Sequence, residues 1–191
     1  MQGAARALPG IPDRDGSWLP QHRGGVVLYL DFDGVLHPEN VWRRLRTGPY
    51  VVSPAGHELF EHAELLVRCL EPYPALRIVL STSWVRVFRS VQKVARRLPP
   101  DLRSRVIGAT FHGRMDSVRF GALPRGVQVW GDVCRRKPVA WLALDDDDAG
   151  WPAVCRRNLV RTDHVHGISA PSVLAELQAR LGAMHGPEGW L

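Results

Sequence analysis

Long apolar runs are missing from this chain, and their absence excludes a membrane-spanning helix. No window approaches the roughly eighteen uninterrupted apolar residues that a hydrocarbon core requires. Cysteine is scarce: Cys69, Cys134 and Cys155 are widely spaced, with no Cys-x-x-Cys pair. That excludes a disulfide framework and a zinc ribbon, makes small packed residues the expected role, and fits a reducing cytoplasm. Lysine is nearly absent as well. Lys93 and Lys137 are the only two, so arginine supplies almost all of the positive charge behind a net +6 and a pI near 9.9. Arginine's planar fork suits phosphate groups, and a basic surface gathers anionic substrates. An arginine-rich composition also arises from a GC-rich coding sequence, so charge alone does not choose between these. The first two dozen residues hold no apolar core of a signal peptide and are broken repeatedly by glycine and proline. They read as a leader over 1–24, ahead of one domain over 25–184 and a short tail over 185–191.

What the chain does contain is a series of short apolar runs of strand length. Val26–Leu30 is apolar at every position, the pattern of a strand buried on both faces of a parallel sheet. Ile78–Leu80, Val106–Gly108, Val139–Leu144 and Leu159–Val160 read as further strands. Between them, helical spacing appears in Leu59, Ala63, Leu66, Val67 and Leu70, with Ser53-Pro54 as the expected helix start. It appears again in Val87, Val91, Val94, Ala95 and Leu98, weakly over Gly126–Arg135, and in Val173, Leu174, Leu177 and Leu181 from near Ser169. The stretches Gly34–Val52 and Phe111–Arg125 read as irregular. Strands alternating with helices predict an α/β fold, a three-layer Rossmann-like parallel sheet flanked by helices. In such sheets ligands bind beyond the carboxyl ends of the strands, near the point where strand order reverses.

The expected strand tips carry the chemistry. The first ends in Asp31-Phe32-Asp33-Gly34, the second in Ser81-Thr82-Ser83, the fourth in Asp145-Asp146. Carboxylates gathered on one edge repel unless a cation lies among them, and hard oxygen donors suit Mg²⁺. Two aspartates one residue apart can divide the labour. One attacks phosphorus as a carboxylate nucleophile; the other protonates the leaving oxygen and later activates water. Gly34 permits a sharp turn beside them, and a hydroxyl from the second tip can bind the transferring phosphoryl group.

Leu30-Asp31-Phe32-Asp33-Gly34-Val35-Leu36 resembles the first signature of the haloacid-dehalogenase (HAD) superfamily. Val79–Trp84 resembles the second and Leu142–Asp146 the fourth. The combination Asp-Phe-Asp-Gly-Val-Leu-His with Ser-Thr-Ser-Trp is most similar to a small bacterial subgroup, itself similar to the phosphatase-like domain of some RNA-repair proteins. The resemblance implies Asp31 as nucleophile and Asp33 as acid/base. It implies Mg²⁺ held by Asp31, the Asp33 backbone carbonyl and Asp145, with Asp146 in support. Thr82 is the implied second-motif hydroxyl, or Ser81 if the strand is one residue shorter, with Ser83 alongside. For the cationic third motif, Arg125 fits the usual position and Lys137 the usual residue type; both stay open.

Neither Gly34–Arg77 nor Thr82–Asp145 has room for a separate cap domain, so the expected site is capless and open. By family analogy such sites act on large phosphorylated substrates, and the basic charge extends this to a polynucleotide end, with the protein a monomer or homodimer. A competing expectation is a catalytically weak module of the same fold that binds nucleic acid or another anionic partner. A receiver domain is disfavoured because Asp31-x-Asp33 puts both acids on one strand. The EF-hand pattern lacks its twelfth-position glutamate. His37 reads as structural, with substrate contact as the alternative; Trp42 reads as a partly buried loop aromatic, with base stacking beside Arg43, Arg44 and Arg46 as the alternative; Trp84 and Trp141 read as core.

Overall fold

The computed structural model describes residues 19–44, 48–52 and 56–185. Five strands form one parallel sheet: β1 (Val26–Leu30), β4 (Arg77–Leu80), β5 (Val106–Ala109), β6 (Ala140–Asp145) and β7 (Leu159–Arg161), in the order β5-β4-β1-β6-β7. The chain first moves outward from β1 through β4 to β5, then returns to the other side for β6 and β7. Strand order therefore reverses between β1 and β6, which makes their carboxyl ends the expected binding crevice. This is the Rossmann-like arrangement expected from the strand–helix alternation.

The alternation along β1 separates two cores. Leu28 and Leu30 pack with α1 (Ala63–Leu70) and α7 (Pro171–His185) through Leu66, Leu70, Leu177 and Leu181. Val27 and Tyr29 face the opposite side, against Val129 and Val133 of α6 (Arg125–Arg136). Both faces are covered, so a strand apolar at every position is what the sheet needs.

Several elements depart from the sequence expectation. Gly34–Val52 is not wholly irregular: β2 (Val41–Arg44) and β3 (Gly48–Val51) form an antiparallel hairpin, with Trp42 opposite Tyr50. The expected helix start at Ser53-Pro54 lies outside the described residues. Leu59 sits in a turn, and the helix begins at Ala63. The helix expected through Val87–Leu98 is cut into α2 (Ser83–Phe88) and α3 (Val91–Ala95), because Arg89 adopts φ 50° and Ser90 caps the next helix by accepting the Lys93 N–H at 3.2 Å. A short α4 (Pro100–Arg105) follows. Phe111–Arg125 contains α5 (Ser117–Gly121), started by Asp116 accepting the Val118 and Arg119 N–H groups. Residues Ala153–Asn158 form a 3₁₀ turn before β7. Val139 is 79% exposed and precedes β6, which extends one residue further than expected, to Asp145. Cys69 and Cys155 are buried as expected, whereas Cys134 is exposed. Among the described residues no helix is long and apolar enough to cross a membrane.

Candidate active site

The register of the sheet builds the site. Leu30 lies opposite both Leu80 and Leu144, so the next residues, Asp31, Ser81 and Asp145, stand level on three adjacent strands. Backbone bonds carry this alignment past the strand ends: Ser81 N–H donates to Leu30 C=O at 2.9 Å, and Asp31 N–H to Leu144 C=O at 3.1 Å. Asp31 and Asp145 share the alternation of Tyr29 and Ala143, which face α6. The side chain that meets them comes from the first residue of that helix.

That side chain is Arg125. Its Nη2 donates to Asp31 Oδ2 at 2.8 Å, its Nε lies 3.2 Å from Asp145 Oδ2, and its Nη1 reaches the Ser81 carbonyl. Lys137 is not brought to the cluster. It is the exposed, left-handed C-cap of α6 (φ 50°), about 18 Å along the helix from Arg125. There it flanks Arg136, whose carbonyl accepts from Gly24 ahead of β1, at the amino edge of the sheet. The helix runs antiparallel to β6, so only its first turn can face the strand tips.

Asp31 and Asp145 are 3% and 0% exposed. Asp31 Oδ1 accepts the Phe32 N–H at 2.8 Å. Burial pushes its carboxyl up to about 6; Arg125 pulls it down and Asp33 pushes it up. Asp145 is raised well above the usual carboxylate range by burial and then by Asp31. Burial would strip charge from Arg125, but Asp31 and Asp145 hold its guanidinium above its ordinary value. Asp146 is raised by burial, although the His164 ring beside it at 2.9 Å opposes this. Carboxylates strained in this way favour a cation among them.

Asp31, Asp145 and Asp146 each bring an oxygen to within 4.8 Å of one another. Asp145 Oδ2 is buried, and its one neighbour of opposite charge among the described residues, Arg125 Nε, is not aligned to hydrogen-bond it. This group of acidic residues can hold a metal ion, and its all-oxygen character fits a hard divalent cation. A second group, Glu39, Asp146 and His164, meets the same spacing at the rim and ties the base of the hairpin to the site.

Gly34 has φ +68°, and a Cβ there would lie 2.4 Å from Asp146 Cγ. Thr162 Oγ1 donates to its carbonyl at 2.6 Å. Gly34→Ala is expected to lower stability by ~1–3 kcal/mol from backbone strain alone. It should also displace Asp146, so chemical denaturation should show reduced stability, and titration with a divalent cation weaker binding than in the parent protein.

The second tip carries three hydroxyl side chains. Thr82 caps α2 by accepting the Trp84 N–H at 3.3 Å and keeps its own proton to donate. Ser81 Oγ is buried with no hydrogen-bond partner. Ser83 is half-buried as the first residue of α2.

Two residues taken as structural from the sequence surround Asp33. Trp84 is buried as expected, yet its indole N–H donates to both Asp33 oxygens, at 3.1 and 2.9 Å. His37 is fully buried; its Nδ1 accepts the Phe60 N–H at 3.2 Å, which leaves Nε2–H to donate to Asp33 Oδ1 at 3.0 Å. Phe60 itself has φ 63° and packs edge-on against His37, Trp84 and Phe32. His37 lies four residues from Asp33 and Trp84 fifty-one, so adjacency in sequence hinted at the first only. Trp42, expected to be partly buried, is 64% exposed on the hairpin.

The sequence matches the family described as the HAD domain in Swiss Army Knife RNA repair proteins over residues 27–173, most of the chain. No curated protein and no solved structure matches it.

Proposed function

The chain belongs to the family of HAD domains in Swiss Army Knife RNA repair proteins, and from that premise we propose that it is a Mg²⁺-dependent phosphohydrolase using Asp31 as its nucleophile. The observation that carries this reading is the level placement of Asp31 and Asp145 on adjacent strand tips, with the Arg125 guanidinium between them. Asp31, the Asp33 backbone carbonyl and Asp145, with Asp146 in support, would hold Mg²⁺, which when bound supplies positive charge to the phosphoryl oxygens.

Asp31 attacks the phosphorus of a phosphomonoester. A bond forms between its carboxylate oxygen and phosphorus, the ester P–O bond breaks, and Asp33 gives a proton to the leaving oxygen. Water then attacks the aspartyl phosphate, its proton passes to Asp33, and inorganic phosphate leaves Asp31 free. Arg125 offsets negative charge at the nucleophile, and the second-tip hydroxyl of Thr82 or Ser81 donates to a phosphoryl oxygen. Trp84 and His37 fix the orientation of the Asp33 carboxylate.

The substrate is a phosphorylated polynucleotide end. Between β1 and α1 the described chain offers only a hairpin and turns, too little to enclose a small metabolite, and the family occurs in RNA repair proteins. Phosphate release should therefore be seen with a generic aryl phosphate and with 3′- or 5′-phosphorylated oligonucleotides, and stop on chelation of Mg²⁺. No release from any substrate in a panel that also includes nucleotides, sugar phosphates and phosphopeptides would overturn the reading.

A further inference from the structure

Charge is unevenly placed along the chain. Residues 83–125 carry ten arginines and lysines against two aspartates, a local +8 in a chain whose total is +6. The remainder is slightly acidic. This segment forms α2 to α5 and strand β5, which lies at the edge of the sheet with β4 as its strand neighbour.

Two cavities, of about 490 and 460 Å³, run along that edge. They share Gln21, Val91, Gln92, Ile107 and Gly108, so they form one continuous trough between β5 and α3. Arg89, Arg96 and Arg103 line it. All three are exposed, and none has a side-chain hydrogen bond or ion pair among the described residues. No aspartate or glutamate lines either cavity. Between the arginines the lining is mixed: the half-buried Val91 and Ile107 and the buried edges of Phe111 and Met115 alternate with Gln21, Gln92, Ser90 and His112.

One end of the trough, lined by Ala109, Phe111 and His112, lies at the carboxyl tip of β5, on the same edge of the sheet as Asp31. Thr110 N–H donates to Leu80 C=O at 2.9 Å, so the loop carrying Phe111 starts one strand away from Ser81. Two strand spacings of ~4.8 Å separate the tips of β1 and β5, about 10 Å in all. Roughly three stacked nucleotides at ~3.4 Å each cover that distance.

We propose that this trough binds the body of a single-stranded polynucleotide whose phosphorylated end lies at Asp31. Unpaired arginines beside a lining of mixed apolar and hydrogen-bonding side chains suit a single strand, with phosphates on the cations and base faces and edges on the surface between them. A duplex presents phosphates alone and would leave that lining unused. A peptide strand added to the edge of β5 would satisfy the backbone but not three unpaired guanidiniums with no acidic residue among them. The assignment rests on the phosphohydrolase reading for what happens at the end of the strand, and on the trough alone for how the strand is held.

The test uses the full chain and a fluorescein-labelled single-stranded oligoribonucleotide followed by anisotropy across a salt series. Affinity should fall steeply as salt rises. The variant Arg89→Ala/Arg96→Ala/Arg103→Ala removes three phosphate contacts at ~0.7 each and should lower the slope of log K against log[salt] by about two. Reversing the three charges with glutamate should abolish binding, while hydrolysis of a small aryl phosphate stays within twofold of the parent protein. Unchanged binding in the glutamate variant, equal binding of duplex and single strand, or equal competition by polyglutamate would each overturn the trough. Trough-dependent binding in a protein that releases phosphate from no substrate would uphold the trough and overturn the phosphohydrolase reading instead.

Discussion

Asp31→Asn is expected to cut Mg²⁺-dependent phosphate release by ~10³-fold or more. The amide is nearly isosteric with the carboxylate, and its single oxygen can still accept one of the two donors, the Phe32 N–H or the Arg125 guanidinium, so the backbone around it keeps its shape. What it loses is the anionic oxygen that attacks phosphorus. The thermal result should run in the opposite direction. Because burial raises the Asp31 carboxyl from 3.8 to about 6, its ionisation opposes folding. In the absence of metal, the stability tied to this group is fully present below about pH 4 and is lost as pH rises through about 6. The asparagine variant should therefore melt at or above the parent temperature in EDTA at pH 7.5, and gain less from added Mg²⁺. A folded, inactive variant assigns the nucleophile. A fully active one removes the assignment.

Arg125→Ala should be strongly destabilising. The Arg125 side chain is 16% exposed and pairs with the buried side chains of Asp31 and Asp145. Removing the cation leaves two buried carboxylates facing each other, a change worth ~3–5 kcal/mol for a buried pair. At ~2–4 °C per kcal/mol for a domain of this size, the melting temperature should drop by roughly 6–20 °C. Mg²⁺ should recover part of it by restoring positive charge to the cluster. Loss of a charge poised at the reacting centre should also cost ~10²–10³-fold in turnover. Lys137→Ala should change neither stability nor turnover appreciably, since Lys137 caps the far end of α6 in solvent. The paired melting curves and rates decide which residue supplies the cation; the reverse result would return that role to Lys137.

The contrast between Arg125 and Lys137 marks where sequence reading stopped. Both are basic, both lie ahead of the last central strand, and motif spacing tolerates either. The choice follows from the direction of α6: antiparallel to β6, it places its first residue at the strand tips and its last at the opposite edge. The periodicity over Gly126–Arg135 disclosed a helix but not which end would matter. Asp33 makes the same point in a different way. Its proposed role follows from the motif, whereas its clamp by Trp84 and His37 joins two motifs through an aromatic box that also needs Phe60 in a left-handed conformation. A tryptophan at a helix start reads as core from its apolarity; only its indole N–H, aimed at a carboxylate, gives it a further task.

Local errors have local causes. Of the apolar face read through Val87–Leu98, Val94, Ala95 and Leu98 are buried, but Val87 is exposed: the left-handed Arg89 and the Ser90 cap break the helix, and α2 turns Trp84 and Val85 inward instead. The hairpin of β2 and β3 was hidden because a short two-stranded ribbon, one strand carrying arginine and the other proline, has no apolar alternation to display.

The strand pattern, the order of the acidic and hydroxyl tips, and the likeness of those tips to the HAD signatures were all fixed by the linear sequence, because buried parallel strands must be continuously apolar and must end where the chemistry begins. Tertiary structure alone decided the register that sets Asp31 level with Ser81 and Asp145, the helix end that supplies Arg125, and the gathering of Arg89, Arg96 and Arg103 along one trough. Each of these depends on which faces and ends meet in space, and spacing along a chain does not carry that information.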